Sequence, residues 1–143
     1  MFEAEQAGIR LLAIREHTRA ELRRKLGRKH EAPDVEKALT ALAEQGLQSD
    51  ERYTELYIGF RRNKGYGPLR IRAELKEKGA DAALIDKYLD QNDDNWYQLL
   101  KQVSEKKYAG QAPVSQRDLA SRGRFLSYRG FPTHLISTYL FGE

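Results

Sequence analysis

The chain has 143 residues, 25 Lys and Arg against 21 Asp and Glu, a formal charge of +4 and 40% hydrophobic residues. That size suits one compact unit or a string of small ones, and this apolar content with so small a net charge argues against intrinsic disorder. With no Cys there is no disulfide framework, thiolate nucleophile or Cys-ligated zinc, and no apolar run reaches the roughly 18–20 residues of a membrane span.

Hydrophobic periodicity is helical almost throughout and β-branched residues are sparse, which predicts an all-α chain of about nine short helices. The first is expected over about Glu3 to Arg15, with Ile9, Leu12 and Ala13 inward. Glu3 and Glu5 stand where a signal peptide would be basic, so a cytoplasmic protein is expected. Thr18 can cap the second helix with Glu21 as its capping-box partner, Leu22 and Leu26 facing inward. Pro33 suits the first turn of the third, whose stripe is Val35, Leu39 and Leu42 and whose stop is Gly46. Ser49 then caps a helix carrying Tyr53, Leu56, Tyr57 and Phe60. Lys64 to Pro68 makes a tight connection into a helix with Ile71 and Leu75 that stops at Gly79. A sixth helix carries Leu84, Ile85, Tyr88 and Leu89 and fades at Gln91 and Asn92. Trp96, Leu99, Leu100 and Val103 mark the seventh. A Gly110 to Pro113 linker leads to the eighth, with Leu119, Phe125 and Leu126, which ends at Gly130. Pro132 precedes the last, whose stripe is Leu135, Ile136, Tyr139 and Leu140.

Three rounds of three helices suggest an internal repeat. Arg70–Leu89 slides onto Ser121–Leu140 without a gap at an offset of 51, superposing Leu75, Gly79, Leu84, Ile85, Tyr88 and Leu89 on Leu126, Gly130, Leu135, Ile136, Tyr139 and Leu140. Leu22 and Leu26 of the first round match Ile71 and Leu75, and Val35 and Leu39 match Ile85 and Leu89 after one register slip. The expected organisation is three repeats, over residues 1–47, 48–92 and 93–143, stacked as an elongated, curved, solenoid-like array whose core includes Leu22, Leu26, Ile71, Leu75, Leu126 and Ile136; the alternative, one nine-helix globule, fits the repeat less naturally.

Charge follows the same period. Residues 15–30, 61–78 and 101–129 each hold seven basic and two acidic residues, net +5, whereas 31–55 is net −5 and 81–96 net −4. The excess belongs mainly to the middle helix of each round and the turn before it. Such a distribution suits an extended polyanion or an acidic protein groove; the plainer alternative is solvated helix faces with local ion pairs. Aromatics among the cations could stack on bases, though most have core spacing; Tyr66 and Tyr128 are expected to be exposed. His17, His30 and His134 lie apart, without metal-ligand spacing, and His17 and His30 read as cap or surface residues. Gly65-Tyr66-Gly67-Pro68 lacks the Gly-Lys-Ser/Thr of a phosphate loop, and no serine sits in a nucleophile elbow. No active site, metal or cofactor is expected.

Three stretches carry a resemblance. Leu11 to Leu26 (LLAIREHTRAELRRKL) resembles the opening of the RecX family of bacterial regulatory proteins. Lys64 to Leu75 (KGYGPLRIRAEL), followed by Lys78-Gly79, is similar to its central motif, and Arg122 to Phe131 (RGRFLSYRGF) to its C-terminal signature, with Lys106-Lys107-Tyr108 before it. Tyr108 stands where a Phe is usual, and His30 where the later rounds have Gly79 and Gly130, so the first turn is expected to be built differently. The resemblance implies three tandem three-helix repeats and a monomeric, non-enzymatic modulator of RecA. Such a protein would lodge in the groove of the RecA–single-stranded DNA filament and inhibit its extension, ATPase, strand exchange and coprotease functions. Contacts are expected from Arg23, Arg24, Lys25, Arg61, Arg62, Lys64, Arg70, Arg72, Lys76, Arg122, Arg124 and Arg129. The alternatives are a general DNA-binding helical protein and a protein-only helical scaffold.

Overall fold

The computed structural model describes residues 2–142, and among them the fold is all-α: α1 (Phe2–Ile14), α2 (Arg19–Leu26), α3 (Ala32–Glu44), α4 (Asp50–Asn63), α5 (Pro68–Glu77), α6 (Ala82–Tyr88), α7 (Asn95–Tyr108), α8 (Gln116–Arg129) and α9 (Thr133–Phe141). The chain packs as two compact units, Met1–Tyr57 with Leu75–Tyr88 and Ile58–Glu74 with Leu89–Glu143. The division falls inside α4 and inside α5, so each unit takes part of the second round of helices. No described helix is long and apolar enough to cross a membrane.

In the first unit, Leu22 and Leu26 of α2 and Val35, Leu39 and Leu42 of α3 form a buried cluster on which Ala7, Leu11 and Leu12 of α1 pack. The capping box is present: Glu21 N–H donates to Thr18 Oγ1 at 3.1 Å and Thr18 N–H to Glu21 Oε1 at 3.0 Å. The inner face of α1 differs from the expected stripe. Ile9 is 41% exposed and Ala13 is exposed, while Ala4 and Gly8 are buried. Small residues let α1 approach α3 closely: a Cβ on Gly8 would lie 2.5 Å from Leu42 Cδ1. Bulk was a poor guide to the face because closeness of approach decided it. The start of α4 buries Tyr53 and Thr54, with Tyr57 stacked on Tyr53 at 5.7 Å, and leaves Leu56 54% exposed. Leu75 and Ile85 are fully buried.

In the second unit, Leu100, Leu126, Phe131 and Ile136 form the core, flanked by Leu99, Val103, Phe125, Leu135, Tyr139 and Leu140. Ile58 and Ile71 are buried, but Phe60 is 61% exposed, so the stripe of α4 runs through Ile58 instead. Trp96 is buried with its indole N–H donating to the Asp90 carbonyl at 2.7 Å.

Each unit contains a head-to-tail joint between second helices. In the first unit Thr18, at the start of α2, donates its hydroxyl to the Lys78 carbonyl at the end of α5, at 2.6 Å. In the second, Gly67 N–H, before α5, donates to the Arg129 carbonyl at the end of α8, at 2.7 Å, and Leu69 N–H to the Gly130 carbonyl at 3.0 Å. The sequence register makes these equivalent: Thr18 aligns with Gly67 at the offset that superposes Leu22 on Ile71, and Lys78 aligns with Arg129 at the offset of 51. Carbonyls that a helix end leaves orphaned thus find donors at the start of another helix, a hydroxyl in the first joint and backbone N–H groups in the second. The turn after the acceptor helix needs glycine. Gly79 (φ +91°) and Gly130 (φ +101°) are left-handed, and the next N–H returns to the Leu75 or Leu126 carbonyl, a Schellman closure. The first round is built differently, as His30 suggested: Gly27 is right-handed, and His30 N–H closes on the Leu26 carbonyl at 3.0 Å.

Candidate polyanion-binding surface

On α2 the predicted cations divide by what they touch. Arg23 makes a two-point pair with Glu36 of α3 (2.7 and 3.1 Å), with both side chains about half exposed. Pairs so open to water contribute little to stability, so Arg23 is held more in place than in energy. Arg24 is exposed and has no ion-pair partner among the described residues. Lys25 Nζ lies 2.9 Å from His17 Nε2.

An ammonium can only donate, so His17 Nε2 accepts and its Nδ1–H donates to the Arg15 carbonyl at 2.9 Å. His17 is 1% exposed, a buried group and not a surface cap. Burial, aided by the Arg15 and Lys25 charges, pushes its pKa below the usual 6.5 against the pull of the Arg15 carbonyl. Folding therefore favours neutral His17, and the stability this contributes is present above about pH 6.5 and lost as the pH falls below it, where only the unfolded chain takes up the proton. The urea midpoint is expected to drop between about pH 7.5 and 5.5, and His17→Gln to flatten that drop. An equal drop in the variant refutes the assignment. Beside it, Glu21 stays below its ordinary range: burial pushes it up, but the Arg15 guanidinium and Thr18 N–H more than offset that. Burial and the Glu21 charge push the Tyr53 phenol up to about 12.

In the second unit the cations converge on an aromatic ring. Arg61, Arg70 and Arg129 place their guanidinium carbons 3.9, 4.4 and 4.9 Å from the Tyr66 ring centre. Glu74 bridges two of them, accepting from Arg61 Nε and Nη2 at 2.9 and 3.0 Å and from Arg70 Nε at 3.1 Å. Arg70 also donates to the Tyr128 carbonyl and lies 4.8 Å from the Tyr128 ring. Arg129 donates to the Lys64 and Gly65 carbonyls at 3.1 and 3.3 Å. Each cation–ring contact contributes about 0.5–1 kcal/mol, so the set fixes guanidinium planes that would otherwise be mobile. Tyr66 is half-buried and clamped, not the exposed ring expected, whereas Tyr128 is 72% exposed. The flanking glycines explain the clamp: a Cβ on left-handed Gly65 would meet Val103 Cγ2 at 2.9 Å and Arg129 Nη1 at 3.1 Å.

Arg62 pairs with Asp93 at 3.3 Å and covers Trp96 at 4.1 Å; Lys64 is exposed beside the Phe60 ring; Arg72 is half-buried. Lys76, in the first unit, and Arg124 are exposed and without ion-pair partners among the described residues. Arg122 differs from the rest. It is 7% exposed, with Nη1 donating to the Gln111 carbonyl at 2.7 Å, Nη2 3.2 Å from Asp118 and the guanidinium 4.1 Å from the Tyr108 ring. The repeat register anticipates this, since Arg122 aligns with the fully buried Ile71. Its stem fills a core position and its head anchors the linker between α7 and α8, so it is spent internally. Arg122→Ala should lower stability by about 2–3 kcal/mol, read as a shift of the denaturation midpoint, because it leaves both a void and an unpaired carbonyl. A change under about 0.5 kcal/mol, typical of a surface site, is the contrary result.

The arrangement presents fixed and free cations, suited to phosphates or carboxylates. Among the described residues no group of three or more His, Asp or Glu is placed to hold a metal ion.

Two family models match, "RecX, second three-helix domain" over residues 49–89 and "RecX, first three-helix domain" over residues 4–42. The chain is 48% identical over 135 residues to "Regulatory protein RecX" of Pseudomonas entomophila (strain L48), covering 93% of this chain and 86% of that protein. It is 45% identical over 139 residues to the protein of the same name from Ectopseudomonas mendocina (strain ymp), covering 96% and 92%. Among solved structures, a crystal structure of regulatory protein RecX aligns with a TM-score of 0.83 at 24% identity, over 99% of this chain and 72% of that one. That of RecX from Lactobacillus salivarius aligns at 0.80 and 22%, over 95% and 91%.

Proposed function

We propose that this chain, which belongs to the RecX family of regulatory proteins, regulates RecA by binding the RecA–single-stranded DNA filament in its helical groove as a monomer. There it inhibits the recombinase, ATPase and coprotease activities without catalysing a reaction of its own. Its working parts are the three repeats, residues 1–47, 48–92 and 93–143. The observation that carries this reading is that each second helix keeps a solvent-exposed cation with no ion-pair partner among the described residues: Arg24 on α2, Lys76 on α5 and Arg124 on α8. Exposed cations without internal partners are free for an external anion, whether DNA phosphate or acidic RecA surface. Arg61, Arg70 and Arg129 add guanidiniums held in fixed planes around Tyr66.

Titration into a single-strand-dependent RecA ATPase assay tests it. Inhibition is expected well below the concentration at which the protein binds naked DNA. Full ATPase activity at saturating protein overturns the proposal. Tight binding to naked DNA with a steep salt dependence, and no preference for RecA-coated DNA, favours a general DNA-binding protein instead.

A further inference from the structure

The second unit contains an open groove of about 530 Å³ between the end of α4 and helices α7 and α8. Four cations line it: Lys64, Lys106, Lys107 and Arg129. Among the described residues no Asp or Glu lines it, and none of the four is ion-paired. Four like charges on one concavity repel one another, an arrangement that folding alone gives no reason to keep. The rest of the lining is apolar at Leu99, Val103 and Phe125 and carries the amide residues Asn63 and Gln102.

We propose that this groove is a docking site for an acidic polypeptide segment carrying one bulky aliphatic side chain. The cations take the carboxylates, the aliphatic lining takes the anchor, and the two amides, each donor and acceptor at once, suit an extended peptide backbone. The features that distinguish this from nucleic acid are in the apolar lining. Base readers offer an open aromatic face. Here the aromatic ring, Phe125, has Lys107 at 5.3 Å and Arg129 at 5.2 Å from its centre and Tyr108 edge-on at 5.9 Å, so its surroundings are already taken. The remaining apolar lining, Leu99 and Val103, matches a branched aliphatic group. The inference does not rest on the second-helix cations: none of Arg24, Lys76 and Arg124 lines the groove, and it would survive if all three did nothing.

The test is fluorescence anisotropy with the full chain and a labelled peptide of about ten Asp and Glu residues around a central leucine. Two comparisons accompany it: the same peptide with serine for leucine, and an oligothymidylate of equal charge. The leucine peptide is expected to bind at least about tenfold tighter than the serine peptide, from burial of one aliphatic side chain. Lys106→Glu with Lys107→Glu, both at exposed positions, should weaken it by more than about tenfold while the melting temperature holds or rises. Equal binding of the serine peptide, indifference to the charge reversals, or tighter binding of the oligothymidylate overturns the proposal.

Discussion

Reversing Arg24, Lys76 and Arg124 together to Glu is expected to weaken inhibition of the RecA ATPase by at least about a hundredfold, with helicity and melting temperature nearly unchanged. Each reversal at a polyanion-facing site removes one attraction and adds one repulsion, commonly worth about 1 kcal/mol or more. Three give at least two decades in affinity, at about 1.4 kcal/mol per decade. The fold should tolerate this because none of the three side chains is buried or ion-paired among the described residues. Arg70→Glu with Arg72→Glu would be a poorer probe. Arg70 holds Glu74, the Tyr128 carbonyl and two aromatic rings, so losing it mixes structural damage with lost contact. Unchanged inhibition by the triple variant, with its circular dichroism intact, would remove these second-helix cations from the binding surface.

Gly130→Ala is expected to be among the most damaging single methyl additions in the chain. At φ +101° a side chain strains the backbone by about 1–2 kcal/mol. The added Cβ would also sit 2.4 Å from Arg70 Cβ and 2.7 Å from the Arg70 nitrogen, and backbone cannot swing aside. A total loss of about 3 kcal/mol or more is expected, enough to lower the midpoint of the second unit by several degrees. Gly46→Ala is the internal control. It has a similar left-handed conformation, φ +73°, and nothing within 4 Å of the new Cβ, so only the strain of about 1–2 kcal/mol remains. Equal losses at the two positions would mean that the joint between α5 and α8 is looser than its geometry.

What the sequence could and could not convey follows from the range of each interaction. Helix boundaries were legible because their causes are local: Thr18 with Glu21, Pro33, Gly46, Ser49, Gly79 and Gly130 act on neighbouring residues. Helix faces were legible where bulky residues recur, as in α3 and α9, and misread in α1 and α4. In α1 the packing runs through Ala4 and Gly8, which periodicity weighs lightly, and in α4 Ile58 is buried while Leu56 and Phe60 stay in water. The basic residues were found by counting, but counting could not separate Arg24, which is exposed, from Arg122, which is buried. The clue was present in the repeat, where Arg122 occupies the place of Ile71. The clamp around Tyr66 left no such trace, because it assembles side chains from α4, α5 and α8 that no spacing rule connects.

The joint between second helices also bears on which helix ends can accept a neighbour. A helix end that offers carbonyls to the start of another helix is an open valence, and a matching start is its complement. The ends of α5 and α8 are open in this sense, and the starts of α2 and α5 fill them. The end of α2 is closed. With His30 in place of the glycine, its turn is right-handed and the N–H groups of residues 27–30 fold back onto the carbonyls of Arg23, Lys25 and Leu26. The end of α2 therefore lacks the glycine turn that presents carbonyls to a neighbouring helix start at the ends of α5 and α8. Whether a second helix can accept a neighbour is thus decided by the chemistry of one turn.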